Sequence, residues 1–384
     1  MRPNQLADAL AALSGAHRYR QRTLLDSPQG PRLVIDGREF VSFASNDYLG
    51  LANHPRLIEA VQQGVARWGV GGGASHLVAG HFAAHEAAEE ALADFVGAEA
   101  ALLFSSGYAA NLGVLTALLD RRATVFADKL NHASLNDACV LSRATFKRFK
   151  HNDLEQLAEQ LEQSPAGTRL IAVDAVYSMD GDEAPLARLL ALAERYDAWL
   201  YLDDAHSFGV LGDGRGSLGE CPALAGSERV IVMATLGKAA GVAGAAVLGS
   251  RRLIDWLVNK ARSYIYTTAQ PPALACAVME SVALMQAESW RRERLFERVR
   301  QCRVMLGAGR FMLGESRTPI QPLLIGSDAD ALRVAATLRD AGLWVPAIRP
   351  PTVPEGSARL RIALSAAHSE ADCLKLAEVL QQIE

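Results

Sequence analysis

Residues 199–206 read WLYLDDAH, an apolar run that ends in two aspartates and, one alanine later, in a histidine. An apolar run without polar alternation is typical of a strand that is buried on both faces of a sheet. Similar runs recur through the chain, some of them separated by helical patterns such as residues 185–197: ALLF (101–104), TVFAD (124–128), LIAVDAV (170–176), VIVMAT (230–235) and GAAVLG (244–249). This alternation predicts an α/β fold with a large, mostly parallel sheet and helices on both faces.

The chain divides into three zones. Residues 1–45 hold a helical stripe of leucines, a group of arginines and a pattern that predicts a hairpin turning at Asp36 and Gly37. Residues 46–285 contain the runs of the predicted sheet. Residues 286–384 begin with an arginine-rich helical pattern and continue with strand-like and helical segments, which predict a smaller α+β domain at the C-terminus.

The composition limits the classes of function. The chain has 384 residues, of which 50% are hydrophobic and 21% charged, and its formal net charge of -4 gives no long-range attraction for nucleic acid or an anionic membrane. The five cysteines form no CxxC pair, which argues against a disulfide framework or a zinc site. The apolar stretch near residues 239–248 is shorter than the roughly 20 residues that span a bilayer, and the first residues lack a signal peptide's apolar stretch. We therefore expect a cytoplasmic protein that binds neither nucleic acid nor membrane.

The polar residues that follow the apolar runs are candidates for a site, because ligands of open α/β sheets bind at the carboxyl ends of the strands. Gly107 and Tyr108 open a helical pattern whose free N–H groups could bind phosphate, although an ordinary capped helix gives the same pattern. His132 and Ser178 follow two other runs, where a capping histidine and an ordinary turn serine are simpler interpretations. None of these signals identifies a site by itself.

Two later positions carry stronger signals. Asp203 ends a buried run, and a buried carboxylate requires a cation or good hydrogen-bond donors, with a helix cap as the alternative. Lys238 lies in TLGKAAGVAG (235–244), where small apolar neighbours disfavour its charged form and favour a nucleophilic amine. An anion-binding helix start, a buried carboxylate and an amine that binds an aldehyde are together what pyridoxal 5'-phosphate (PLP) requires. The combination therefore predicts a PLP site.

The ordered motifs resemble those of the α-oxoamine synthases, which are PLP-dependent transferases of fold type I. They extend from about Arg20 to the C-terminus and comprise SNDYLGL (45–51), SSGYAAN (105–111), NHAS (131–134), YSMDGD (177–182), DDAHSFGVLGDGRGS (203–217), TLGKA (235–239) and RPPTVPEGSARLRIALSAAH (349–368). The resemblance implies fold type I, with a large PLP-binding α/β domain and a smaller C-terminal α+β domain. It also implies a homodimer with the active site at the subunit interface.

The resemblance implies a role for each matching residue toward the cofactor. Lys238 would bind the cofactor aldehyde and act as the base, Asp203 would pair with the pyridine nitrogen, and His132 would stack on the ring. The remaining implied contacts are those of His206 and Ser178 with the phenolic oxygen, and of Gly107, Tyr108 and Thr235 with the phosphate.

The resemblance also implies substrate contacts. Asn46 and Arg361 would bind the amino acid, while Arg20 and Thr352 would contact the acyl thioester. His132 would also contact the substrate and assist the ketone oxygen during catalysis. The strand pattern around Arg361 is by itself equally consistent with an arginine that faces solvent. Within the family, the motifs are most similar to those of members that condense L-alanine with a pimeloyl thioester in biotin synthesis. Glycine with acetyl-CoA is the alternative pair of substrates, and coenzyme A and an acyl carrier protein are both open as carriers.

Three other interpretations are open to the sequence. GVGGGA (69–74) fits a dinucleotide-binding fingerprint, but it follows a helical pattern rather than a strand. A PLP aminotransferase would share Lys238 and Asp203, and a non-catalytic partner subunit of the same fold would not need either. The chain also departs from the family pattern in the loop that contains Ser75 and at Ser207, where related synthases commonly have glycine.

Overall fold

The computed structural model describes residues 2–383, which form fourteen strands and fourteen α-helices besides short 3-10 and π-helical turns. The strands are β1 (Arg32–Ile35), β2 (Arg38–Ser42), β3 (Ala100–Phe104), β4 (Thr124–Asp128), β5 (Thr145–Phe149), β6 (Arg169–Asp174), β7 (Ala198–Asp203), β8 (Val230–Thr235), β9 (Ala245–Gly249), β10 (Met312–Leu313), β11 (Ile320–Gly326), β12 (Leu343–Trp344), β13 (Ala347–Ile348) and β14 (Ala358–Ala363). The helices are α1 (Leu6–Gly15), α2 (Pro55–Trp68), α3 (Ala83–Val96), α4 (Gly107–Leu118), α5 (Ala133–Leu141), α6 (Leu154–Glu162), α7 (Leu186–Arg195), α8 (Ser217–Glu220), α9 (Arg251–Lys260), α10 (Arg262–Ile265), α11 (Pro272–Ala287), α12 (Trp290–Gly307), α13 (Asp328–Asp340) and α14 (Glu370–Gln381).

The chain divides into two units. The larger unit comprises residues 49–178 and 182–293, and the smaller unit comprises the residues up to 48, residues 179–181 and the residues from 294 onward. Helices α2 to α11 and strands β3 to β9 belong to the larger unit. The smaller unit holds the other strands together with α1, α13, α14 and most of α12.

One seven-stranded sheet organises the larger unit, in the order β3-β9-β8-β7-β6-β4-β5. All neighbouring strands are parallel except the two pairs that include β9. Every residue of β3 and β4 is buried, which requires cover on both faces of the sheet. The predicted α/β fold with a mostly parallel sheet is therefore confirmed.

The two edge strands of this sheet differ in how their edges are satisfied. At one edge, β5 is largely accessible and carries Lys147 and Arg148. At the other edge, α3 packs against β3, and the backbone N–H of Leu103 donates to Oε1 of Glu89 at 2.8 Å. Burial raises the pKa of Glu89 to about 8. The Glu89 side chain therefore accepts a hydrogen bond from β3 that a further strand would otherwise accept.

The smaller unit contains two sheets, in the orders β1-β2-β12 and β10-β11-β14-β13. Strands β1 and β2 form the predicted hairpin, with Asp36 and Gly37 at φ values of 51° and 73° in the turn. All six residues of β14 are buried, including its two arginines, Arg359 and Arg361. Among residues 2–383, no helix has the length and apolar character needed to cross a bilayer.

Candidate active site

The sheet brings most of the predicted cofactor residues of the larger unit to one edge. Strands β4, β6, β7 and β8 are parallel neighbours, so their carboxyl ends lie side by side. His132 follows β4, Ser178 follows β6, Asp203 is the last residue of β7 and Thr235 is the last residue of β8. Residues that are far apart in the sequence are thus placed in one row.

Lys238 lies in the turn between β8 and β9. The turn is closed by backbone bonds from Leu236 N to Gly244 O (2.8 Å) and from Gly241 N to Lys238 O (2.9 Å). Gly241 has a φ of +68°, and a Cβ there would lie 2.6 Å from the backbone N of Ala52, so only glycine suits the position. The Nζ atom of Lys238 lies 2.9 Å from Nε2 of His206, which places the amine beside an imidazole.

Asp203 is buried, with 4% of its surface exposed, and its carboxylate is held by donors. Its Oδ2 accepts a hydrogen bond from Nδ2 of Asn111 at 2.9 Å, and its Oδ1 accepts one from the backbone N–H of Ala205 at 3.1 Å. These two donors fix the orientation of the carboxylate. They also reduce the cost of burying its charge.

His132 is the N-cap of α5, and the surrounding donors determine where its proton lies. Its Nδ1 faces the backbone N–H of Ser134 at 3.3 Å, and it lies 2.7 Å from the Oγ of the same serine. Because a backbone N–H can only donate, Nδ1 is the acceptor, and the neutral ring carries its hydrogen on Nε2. Burial lowers the pKa of His132, which favours this neutral form.

The start of α4 provides an anion site. Ser106 is the N-cap, and its Oγ accepts the N–H of Ala109 at 3.1 Å. Within residues 2–383, the structure records no hydrogen bond that uses the N–H groups of Gly107 or Tyr108. Such N–H groups at a helix start, together with the helix dipole, bind phosphate. Thr235 is half-buried, and its Oγ1 lies 3.3 Å from the carbonyl of Gly244.

The departure at Ser207 has a structural explanation. Asp204 is fully buried, and the hydroxyls of Ser207 and Ser217 both donate to its carboxylate, as does the backbone N–H of Ser217 at 2.9 Å. Burial raises the pKa of Asp204 to about 6 despite these bonds. Ser207 therefore supplies a donor to a buried carboxylate, and it leaves the spacing of Asp203 and His206 unchanged.

An ion-pair network anchors the loop that follows Ser178. Nδ1 of His151 lies 3.1 Å from Oδ1 of Asp128, which ends β4, and its Nε2 lies 2.6 Å from Oδ2 of Asp182. Burial disfavours the charged imidazole, but the hydrogen bonds to the two carboxylates outweigh it and raise the pKa of His151 to about 10. His151 is therefore an imidazolium at neutral pH.

Substitution of His151 by asparagine is expected to destabilise the protein in a pH-dependent way. The pKa of His151 is about 10 in the folded state and 6.5 in the unfolded chain. The contribution of the charged imidazole to the free energy of unfolding is therefore complete below pH 6.5 and is lost as the pH rises through 10. Removing it leaves Asp128 buried without its cation, at a cost of about 3–5 kcal/mol near pH 6.5. Urea unfolding at pH 6.5 and pH 9.5 checks this, with the exposed His17→Asn as control. A difference between H151N and wild type that does not shrink at pH 9.5 would contradict the assignment.

Four of the predicted substrate residues, all except His132, lie in the smaller unit and occur there as two pairs. Arg361 is buried, with 5% exposed, and its Nη2 donates to Oδ1 of Asn46 at 3.1 Å, so the interpretation as a solvent-facing arginine is wrong. Nη2 of Arg20 donates to Oγ1 of Thr352 at 3.0 Å. Arg20 and Thr352 line a cavity of about 260 Å³ that Arg18 and Arg349 also line. The cavity is therefore rich in cations.

The loop that contains Ser75 is held by contacts of its own. Ser75 precedes a π-helical turn, His76–Gly80, and its carbonyl accepts the N–H of Gly80 at 2.9 Å. His76 stacks on Tyr264 at a centroid distance of 4.8 Å, and its Nδ1 lies 2.9 Å from Nδ1 of His81. The departure from the family pattern thus coincides with a loop that is stabilised by ring contacts.

Sequence reasoning missed two buried polar residues at this edge of the sheet. Asn111 bonds Asp203, as described above, and Asp174 accepts the backbone N–H of His132 at 3.0 Å through its Oδ2. Burial and the neighbouring Asp203 raise the pKa of Asp174 well above its usual value. The available signals were an amide in a helix of small apolar residues and an aspartate inside the apolar run of residues 170–176.

The comparisons with known proteins agree on one family. The family model "Aminotransferase class I and II" matches residues 38–380. An 8-amino-7-oxononanoate synthase of Chromobacterium violaceum is 64% identical over 378 residues, which cover 97% of each chain. The chain belongs to the 8-amino-7-oxononanoate synthase family.

Solved structures extend the similarity to the fold and the cofactor. A serine palmitoyltransferase with PLP aligns with a TM-score of 0.92 and 30% identity over 99% of this chain and 96% of its own. The 8-amino-7-oxononanoate synthase of Francisella tularensis aligns with a TM-score of 0.77 and 28% identity over 89% of this chain and 97% of its own. As a member of the 8-amino-7-oxononanoate synthase family, the chain is a PLP-dependent transferase of fold type I, and the predicted cofactor is confirmed.

The residues of the larger unit fit PLP. The start of α4 suits a phosphate, the buried Asp203 suits a protonated pyridine nitrogen, and the amine of Lys238 lies beside His206. Each part that the cofactor requires is thus present among the described residues.

Proposed function

We propose that the chain condenses L-alanine with a pimeloyl thioester to give 8-amino-7-oxononanoate, carbon dioxide and free thiol in biotin biosynthesis. The observation that carries the proposal is the 64% identity, over 97% of both chains, to the 8-amino-7-oxononanoate synthase of Chromobacterium violaceum. Glycine and acetyl-CoA remain the alternative substrates. The two sets differ in the methyl group of the amino acid and in the length of the acyl chain.

Lys238 and Asp203 carry the central chemistry of this proposal. Bound PLP supplies an aldehyde that takes up the amino acid and a pyridinium ring that stabilises negative charge on its Cα. Lys238 would hold the cofactor through its aldehyde, and its Nζ would take the α-proton of alanine. Asp203 keeps a proton on the pyridine nitrogen, and its bonds to Asn111 and Ala205 hold it in place for this task.

His132 and the neighbouring polar groups orient the reactants. His132 would hold the ring of the cofactor, and its Nε2–H would donate to the ketone oxygen of the condensed product. His206 and Ser178 bind the phenolic oxygen. Gly107, Tyr108 and Thr235 bind the phosphate, which is supported by the N-terminus of α4.

Two pairs in the smaller unit bind the substrates. Arg361 pairs with the carboxylate of alanine, supported by its burial and its bond to Asn46, because a buried guanidinium favours a carboxylate partner. Arg20 and Thr352 contact the acyl thioester, supported by the cation-rich cavity that they line. The carboxylate of alanine is released as carbon dioxide after the carbon–carbon bond has formed, and a proton then returns to Cα.

Assembly and location are part of the proposal. The family resemblance supports a homodimer, and the five free cysteines, which suit a reducing compartment, support a cytoplasmic enzyme. Both coenzyme A and an acyl carrier protein are candidate carriers. Light scattering of the active protein that shows a stable monomer would contradict the dimer.

A substrate panel tests the proposed reaction. Thiol release is measured with L-alanine, glycine and L-serine, each combined with pimeloyl-CoA or acetyl-CoA. The expected kcat/KM for L-alanine with pimeloyl-CoA exceeds that for glycine with acetyl-CoA by at least about 10-fold, a typical discrimination for apolar groups in a pocket. Preference for glycine with acetyl-CoA would contradict the proposal. Conversion of alanine to pyruvate without a thioester would instead indicate an aminotransferase.

A further inference from the structure

Asn111 occupies the centre of a buried hydrogen-bond network beneath the candidate active site. It lies on α4 and is fully buried. Its Oδ1 accepts the hydroxyl of Tyr201 at 2.5 Å, and its Nδ2 donates to Asp203 Oδ2 and to Ser134 Oγ, both at 2.9 Å. Both hydrogens and the oxygen of the amide are therefore in use.

The partners determine which way the amide points. A carboxylate can only accept a hydrogen bond, so the atom that faces Asp203 is the nitrogen, and the oxygen then faces the hydroxyl of Tyr201. Tyr201 and Asp203 are two residues apart on β7, so both project from the same face of the strand. One asparagine thus bridges two side chains of that face.

The same amide connects Asp203 to His132. Ser134 Oγ receives a hydrogen from Asn111 and lies 2.7 Å from Nδ1 of His132, so its own hydrogen is directed to that nitrogen. The chain of bonds runs from Tyr201 to Asn111 and divides there, with one branch to Asp203 and the other through Ser134 to His132. Every donor in this hydrogen-bond network meets an acceptor, so the side chains of both branches have one consistent set of hydrogen-bond directions.

We propose that Asn111 is a positioning residue for the cofactor, which holds the carboxylate of Asp203 and the ring of His132 in one shared hydrogen-bonded frame. The inference rests on the proposed roles of Asp203 and His132. An amide suits this place because it offers two donors to groups that accept and carries no charge of its own. An aspartate of the same shape would set two carboxylates against each other.

The isosteric variant N111D distinguishes positioning from packing. In N111D a carboxylate oxygen replaces the amide nitrogen that lies 2.9 Å from Oδ2 of Asp203. The two carboxylates can share one proton at low pH, and they repel each other when that proton is lost at high pH. The titratable groups that face this network are Asp203 and Tyr201 on β7, Asp174 on β6, His132, Asp137 and Cys139 near or on α5, and Lys238. All of these groups are present in both wild type and N111D. The ratio of the PLP dissociation constants of the two proteins therefore reports only the change at position 111.

The experiment titrates the PLP-free proteins with PLP and measures the dissociation constant at pH 6 and pH 9. We expect N111D to bind PLP within a few-fold of wild type at pH 6 and about 10- to 100-fold more weakly at pH 9, the size of a lost hydrogen bond to a charged group. N111L, which has neither donor, should bind PLP about 10- to 100-fold more weakly than wild type at both pH 6 and pH 9. T116V is the matched control, because it removes a hydrogen bond on the same helix, from Thr116 Oγ1 to Leu112 O, that does not reach Asp203.

The PLP affinities of the two variants distinguish a positioning role of Asn111 from a packing role. Equal losses in N111D and N111L at both pH values would reduce Asn111 to a packing residue and overturn the proposal, as would wild-type affinity in both. Should N111D fail to fold, Y201F removes only the hydroxyl that orients the amide. It is expected to lower kcat about 10-fold with an unchanged KM for L-alanine, and an unchanged kcat would overturn the proposal. PLP binding requires no substrate, so the titrations of N111D and N111L are independent of whether the substrate panel identifies alanine and pimeloyl thioester.

Discussion

Replacement of Lys238 by alanine is expected to abolish turnover, by at least about 10³-fold in kcat, because the amine both binds the cofactor aldehyde and moves the α-proton. The fold is expected to persist, since the turn is closed by backbone bonds and by Gly241 rather than by the lysine side chain. The measurement is thiol release by K238A, together with circular dichroism of the folded protein.

Borohydride labelling checks the chemical basis of this result. Reduction of the wild-type protein in the presence of PLP should attach the cofactor to the peptide that contains Lys238, and K238A should lose that label. Lys260, which is exposed on α9, provides the matched control, and K260A should keep both activity and label. A label on a different lysine would show that the central residue has been misassigned.

Substitution of Asp203 by asparagine is expected to lower kcat by about 10²- to 10³-fold, the effect of removing one preorganised electrostatic contact. Both oxygens of Asp203 accept hydrogen bonds, from Asn111 and from the N–H of Ala205, whereas an asparagine has only one accepting oxygen. The variant therefore loses the charge that holds the pyridine proton and also misdirects one of the two donors. Steady-state kinetics with saturating PLP measures the loss.

The control for this variant is Asp197→Asn, which changes an exposed aspartate that pairs only at the surface with Arg229 at 3.2 Å. D197N should retain wild-type kcat, because surface ion pairs contribute little. A kcat of D203N within a few-fold of wild type would disprove the pairing of Asp203 with the pyridine nitrogen.

The sequence predicted the sheet because its strands are buried on both faces and so appear as unbroken apolar runs. The residues that end those runs could be assigned to one edge of the sheet, since parallel neighbours have their carboxyl ends together. The hairpin at Asp36 and Gly37 was predictable for a local reason, as both residues tolerate a positive φ. These features depend on neighbours in the sequence or on one rule of sheet topology.

The remaining features depend on contacts between distant residues. Asn111 and Asp203 are 92 positions apart, and no local pattern indicates that an amide on α4 will meet a carboxylate on β7. Arg361 appeared in an alternating pattern that suited a half-exposed strand, but every residue of β14 is buried, so the alternation carried no information there. Ser207 appeared as a departure from the family and acquires a function only through the buried Asp204.

The edges of the seven-stranded sheet bear on how the native protein behaves at high concentration. Open strand edges with unpaired N–H and C=O groups are where sheets of separate molecules join into aggregates. Lys147 and Arg148 on β5 would bring like charges together in such a contact. At β3, the N–H of Leu103 is already bonded to Glu89. Both features hinder the addition of a foreign strand at the edges of this sheet in the folded protein.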